Sequence, residues 1–163
     1  LWYIQVPVLE VDGVPYAQAM AVARLCGRLS RLYSSDDVLT VFAIDEFLDA
    51  VTEINNRVYP TMLEPDPVKK WGMRRAFAEI MLSQWLSNLG SRILAHTHPV
   101  WAVGSDVTIA NLETWRSVGW LNSGMLDVIP PGMLSAYPAT QSHFNTIDQL
   151  KSIRGWMAQY RKA

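Results

Sequence analysis

The chain has 163 residues, half of them hydrophobic and 18% charged, with a formal net charge of −1. That is enough for one or two small domains with a real core. The charge balance offers no electrostatic footprint for nucleic acid or an anionic membrane, and no apolar run approaches the roughly 20 residues of a membrane span.

No signal peptide is legible in a chain that starts at Leu1. The single cysteine, Cys26, rules out a disulfide framework within the chain and suits a reducing, cytoplasmic setting. Its place in an apolar helical run reads as core.

In chain order, Val8 to Val11 reads as a short strand with Pro7 just ahead of it, where proline costs no ladder bond. Asp12-Gly13 supplies the positive φ angles of a two-residue turn, and Val14 to Tyr16 is the return strand. From Ala17 the period changes, and Met20, Val22, Ala23, Leu25 and Cys26 fit a helix. Leu29 to Asp36 breaks that period and reads as a linker.

Val41, Ile44, Phe47, Leu48, Val51 and Ile54 then recur at helical spacing. They predict one long helix to about Tyr59, with Pro60 and Pro65 ending it and bracketing a loop. Asp66-Pro67 is an N-cap followed by proline at the first helical position. The helix behind it carries Trp71, Phe77, Met81, Trp85, Leu89 and Leu94. Two long helices with a short connection predict an antiparallel pair.

His96 and His98 have metal-ligand spacing, but the remaining histidine, His143, is remote in sequence and no metal site is expected. Thr108 is a good N-cap, Asn111 stands at N3, and Val107 with Leu112 can form a hydrophobic staple. Trp115, Val118 and Leu121 continue that helix until Asn122-Ser123-Gly124 ends it. Pro130-Pro131-Gly132 is a loop, Phe144 to Trp156 is helical, and the tail from Gln159 frays. Trp71, Trp85, Trp115 and Trp156 occupy apolar helical positions and read as core.

The stretch Gln5-Val6-Pro7-Val8-Leu9-Glu10-Val11-Asp12-Gly13, followed by Ala17-Gln18-Ala19, resembles the glutathione-binding half-site of cytosolic glutathione transferases. The sigma, alpha, mu and pi group is most similar. Leu32-Tyr33 resembles the end of that family's interdomain linker. Gly104 with Thr108-Ile109-Ala110-Asn111 resembles its Gly-x-x-x-Thr-(Ile/Leu)-Ala-Asp folding motif, with Asn in place of Asp. The resemblance implies a thioredoxin-like α/β N-terminal domain, incomplete here, of which residues 1–30 are the C-terminal half. An all-α helical-bundle C-terminal domain would follow over 37–163.

By the same resemblance, Gln5 and Gln18 would bind glutathione by side chain and Val6 and Ala19 by backbone, with Pro7 cis. Physically, a peptide can pair with Val6 in strand addition, and the helix N-terminus behind Gln18 favours a carboxylate. Ala19 stands where the family has Ser or Thr, so a hydroxyl bond to that carboxylate is missing. Asp49 matches the acidic residue that reaches the glutathione ammonium across a dimer; a solvated helix face is the alternative. Asp45 and Glu46 read as surface. Tyr3 aligns with an aromatic key that inserts into the partner subunit.

The family's Tyr or Ser that stabilises the sulfur lies on a strand ahead of Leu1, so the catalytic residue is unknown here and a longer full-length transferase is expected. The activity implied is detoxifying conjugation of the glutathione thiolate to apolar electrophiles by a homodimer. Glutathione is co-substrate and no other cofactor is needed. The alternative is a catalytically inactive binding or dimerisation module, which Ala19 favours.

Overall fold

Two short strands open the chain. Leu9–Val11 (β1) and Val14–Tyr16 (β2) pair antiparallel with Leu9 opposite Tyr16 and Val11 opposite Val14. Asp12 (φ 51°) and Gly13 (φ 77°) supply the left-handed pair that a two-residue turn of this hand requires. This computed structural model describes residues 6–33, 36–95 and 100–160. Tyr3, Gln5, the His96/His98 pair and the last three residues of the tail lie outside the described residues.

Helix α1 (Ala19–Ser30) follows β2 and closes on Arg31, whose φ of 63° lets Leu32 and Tyr33 donate back to the Gly27 carbonyl. α1 turns Met20, Ala23 and Gly27 inward, and Cys26 is exposed rather than in the core. The spacing of the inward residues explains this: Cys26 falls on the flank shared with exposed Leu25 and Leu29, outside the stripe set by positions 20, 23 and 27.

Asp37 caps α2 (Val38–Leu63) by accepting from the N–H groups of Leu39 and Thr40. The Thr40 hydroxyl and these amides hold its carboxyl below the usual range. Ile44, Phe47, Leu48, Val51 and Ile54 are buried as their spacing predicts. The helix does not stop near Tyr59; it runs through Pro60 to Leu63. Pro60 leaves the Asn56 carbonyl without its helical donor, but both residues are exposed, so solvent can satisfy it.

Asp66 caps the next helical run through the Val68 and Lys69 amides, with Pro67 in the first turn. The run comprises α3 (Pro67–Ala76), a π segment (Phe77–Leu82) and α4 (Ser83–Leu94). The π segment corrects the expected α register. Phe77 and Leu82, five apart, are both buried, and i→i+5 bonding brings that spacing onto one face. Met81 and Leu94 are consequently exposed, while Leu82, Leu86 and Ile93 fill the core.

The antiparallel pairing of α2 with this run is direct. Arg74 meets Thr61, Trp85 Nε1 donates to the Ala50 carbonyl at 3.2 Å, and Arg92 pairs with Glu46 at 2.6 Å. Two tryptophans read as core are not: Trp71, half exposed, lies under the Arg75 guanidinium, and Trp156 is also half exposed.

α5 (Ile109–Leu121) runs through the centre, with Ile109, Ala110, Thr114, Ser117, Val118 and Leu121 buried. Asn111 performs the N3 role: its Oδ1 accepts from both the Thr108 N–H and the Thr108 hydroxyl, each at 2.9 Å. The single helix expected over 144–156 is two. α6 (Pro138–Asp148) starts on a proline, and α7 (Lys151–Tyr160) begins after a break at Gln149-Leu150. Between α5 and α6 lies a 3₁₀ turn, Met133–Ala136.

Candidate functional site

The hairpin register brings together four of the residues expected to form a half-site. Two residues beyond the last ladder pair, Leu9 and Tyr16, stand Pro7 on one strand and Gln18 on the other; three beyond stand Val6 and Ala19. The open end of the hairpin therefore carries all four. All are solvent-facing, Val6 most of all at 89% exposed. The Val6–Pro7 peptide is cis. Among the described residues β1 pairs only with β2, and Val6, three residues ahead of the ladder, presents its backbone at the surface, where an extended peptide can pair with it.

Gln18 adopts φ 77°, ψ 104° as it opens α1. A non-glycine residue there carries backbone strain of order 1–3 kcal/mol, which concentrates at functional positions. Its carbonyl accepts from Ala21 and Val22. The N–H groups of Ala19 and Met20 belong to the first turn, which an α-helix leaves without intrahelical partners. With no acidic residue in that turn, the positive end of the helix dipole faces solvent and suits a carboxylate.

Asp49 stands on α2, its side chain 80% exposed and 3.7 Å from the Arg24 guanidinium. An exposed contact of that length contributes little and leaves the carboxylate available. Gln5 and Tyr3, the remaining residues carried over from the resemblance, are outside the described part.

Asp45 and Glu46 are not idle surface groups. Asp45 accepts from Arg24 Nε at 2.7 Å and from the Tyr33 hydroxyl at 3.1 Å, tying α1 and the linker to α2. Partial burial works against the Arg24 charge, yet the Asp45 hydrogen bond and charge raise its pKa above the ordinary arginine value. Arg28 lies over the Tyr33 ring at 5.2 Å. The linker carbonyl of Leu32 also accepts the orphan Ile109 N–H of α5 at 2.9 Å. Sequence spacing gives no signal for these contacts, because each partner lies on a different element.

A cavity of about 600 Å³ opens between α5, α6 and α7. Trp115 and Phe144 stack in its floor, ring centres 6.4 Å apart, and Trp115 Nε1 donates to Asp148 at 3.2 Å. His143 on α6 is buried. Its Nδ1 donates to the Val100 carbonyl at 2.8 Å, and burial pushes its pKa down against the opposing effect of that bond. Among the described residues no group of three or more His, Cys, Asp or Glu could hold a metal ion. No described helix is long and apolar enough to cross a membrane.

No family model matches the chain. Its sequence is similar to glutathione S-transferase 2 of Manduca sexta, 38% identical over 66 residues that take in 40% of this chain and 32% of the moth protein. It is also similar to hematopoietic prostaglandin D synthase of Mus musculus, 25% identical over 154 residues, 94% of this chain and 71% of the mouse protein. Among solved structures, prostaglandin synthase D of Nilaparvata lugens matches with a TM-score of 0.82 at 17% identity. That match covers 96% of this chain and 74% of the planthopper chain. The shared architecture is the hairpin and α1 of a thioredoxin-like domain followed by the all-α bundle.

Proposed function

We propose that this homologue of the cytosolic glutathione transferases binds glutathione at the open end of its N-terminal hairpin and serves its transfer to apolar electrophiles. The observation that carries the reading is the convergence, at that end, of the exposed Val6–Pro7 cis peptide and an uncapped helix N-terminus behind Gln18. A short peptide with an anionic end meets both at once. The backbone of Val6 would pair with the cysteinyl unit. Gln18 and the Ala19 N–H would take the γ-glutamyl carboxylate, with Gln5 as a further side-chain ligand. On this reading residues 1–30 form the glutathione-binding unit and 37–163 the helical one.

In the reaction the glutathione thiolate forms a carbon–sulfur bond to the electrophile, and the electrophile's leaving group departs with the displaced electron pair. The residue that stabilises the thiolate is assigned to no position of this sequence. Val38, Leu39 and Phe42 expose an apolar patch at the start of α2, 68% or more exposed at each. Such a patch supports a homodimer, in which Asp49 would reach the partner's glutathione ammonium.

Glutathione binding, measured by isothermal titration calorimetry, tests the reading. Ala19→Ser restores a hydrogen bond to a charged group worth about 1.5–3 kcal/mol, so it tightens binding by about tenfold or more. Gln18→Ala weakens it. Equal affinity in all three proteins would remove the hairpin site from consideration. Conjugation of chlorodinitrobenzene, followed by absorbance, separates the transferase from the catalytically inactive binding module, the alternative that Ala19 favours.

A further inference from the structure

The connection between α5 and α6 holds a turn that its own residues do not favour. The Ile129 N–H donates to the Leu126 carbonyl at 3.2 Å, which makes Leu126 to Ile129 a β-turn with Asp127 and Val128 at its centre. Val128 has φ 71°, while φ at Asp127 is negative. Positive φ at the second central residue alone marks a type II turn, which wants glycine or asparagine there. A β-branched residue at that position is strained.

A type I turn would spare Val128 this strain. The two types keep the same closing hydrogen bond. They differ by rotation of the peptide between the two central residues, about 150° in one flanking dihedral and about 170° in the other. That rotation turns the Asp127 carbonyl to the opposite side.

The Asp127 carbonyl has a partner that fixes its direction. Arg74 on α3, only 3% exposed, donates from Nη1 to it at 3.3 Å and from Nε to the Thr61 hydroxyl at 2.6 Å. Among the described residues no carboxylate pairs with this guanidinium. Thr61 stands in the last turn of α2, at the negative end of the helix dipole, where α2 has no basic residue of its own. The helix end therefore seats the charge, and the planar fork keeps a second arm for the turn. Leu126 and Ile129, both buried, anchor the ends of the turn but leave the direction of the peptide between them unset.

We infer that Arg74 is a latch that selects the strained peptide orientation at Asp127-Val128. Latched, the carbonyl faces Arg74 and Val128 carries the strain. Released, the peptide turns over, Val128 relaxes to negative φ, and the α5–α6 connection loses its tie to α2 and α3. Every group in the latch lies within residues 58–129 and the guanidinium is already buried, so the latch does not depend on what else packs around the bundle. Arginine keeps its charge throughout the working pH range, so pH does not operate it.

The test is the proton Overhauser pattern of the turn in the isotope-labelled full chain. In type II the Asp127 Hα lies close to the Val128 amide proton; in type I the two central amide protons lie close instead. The parent should show the first contact strong and the second weak. Arg74→Gln keeps a donor at the Nε position for Thr61 and removes only the arm that reaches Asp127. It should reverse the pattern, with the Hα–amide cross-peak falling about threefold or more. The double variant Arg74→Gln/Val128→Gly, in which positive φ carries no steric cost, should restore it. Arg75→Gln, at the neighbouring exposed arginine paired with Glu79, should leave the parent pattern unchanged. A parent with the type I pattern, an Arg74→Gln spectrum like the parent's, or a double variant that stays reversed would each overturn the latch. The parent spectrum decides the first of these even if a variant fails to fold.

Discussion

Gly27 is where the hairpin unit is pressed against the helical bundle, and replacing it should separate two effects that usually travel together. A Cβ at Gly27 would stand 2.7 Å from Ile109 Cγ2 and 2.8 Å from Tyr33 Cβ. Neither atom is the far end of a flexible side chain; both are anchored one bond or two from the backbone. The backbone around the Leu32 carbonyl to Ile109 N–H bond must therefore give way. Overpacking of this kind costs about 1–3 kcal/mol, and rigid neighbours put Gly27→Ala at the upper end. Better helix propensity returns about 1 kcal/mol, leaving a net loss of about 2 kcal/mol. For a chain of this length that is a fall in Tm of about 4–8 °C.

Gly72 on α3 is the internal control, since a Cβ there meets nothing within 4 Å. Gly72→Ala keeps only the propensity term and should stabilise by about 1 kcal/mol. Urea denaturation of both variants, with the midpoint and slope read separately, checks the pair. If Gly27→Ala proved as stable as the parent, or both variants moved the same way, the close approach at the α1–α5 junction would not be the constraint described.

Two further predictions concern buried polar groups. His143 has its pKa lowered in the folded state, so between that value and the ordinary 6.5 the unfolded chain binds a proton that the folded chain refuses. Stability must then fall as pH drops below about 6.5, by up to about 1.4 kcal/mol per pH unit for this one group. His143→Asn should flatten the slope between pH 6.5 and 5 in urea denaturation; an unchanged slope would clear His143 of the effect. Asn111 uses Oδ1 on Thr108 but leaves Nδ2 buried without a partner. Asn111→Asp removes that orphan donor and sets a carboxylate at a helix N-terminus, so it should stabilise by about 1 kcal/mol at neutral pH. Thermal melts at pH 7 that show a loss would reverse this reading of the cap.

What the sequence determined by itself is local. Asp12-Gly13 sets the turn because few residue pairs tolerate two positive φ angles. Asp37, Asp66 and Thr108 start helices because their side chains satisfy amides a few residues away, and β1, β2, α2, α3 and α5 begin where such signals stand. The grouping of Val6, Pro7, Gln18 and Ala19 was legible for the same reason: they fall at one end of a hairpin whose register follows from its turn. Tertiary structure decided whatever depends on a partner distant in sequence. Pro60 did not stop α2, because the residue whose carbonyl it orphans is exposed to solvent, which an apolar period does not reveal. The Phe77–Leu82 interval required a π segment because the facing core needed both side chains on one side. Cys26, Trp71 and Trp156 have apolar neighbours in sequence yet stay outside the core, while Asp45 draws Arg24 and Tyr33 from other elements. The space beneath α7 belongs to three helices at once, and no single stretch of chain encodes a volume between them.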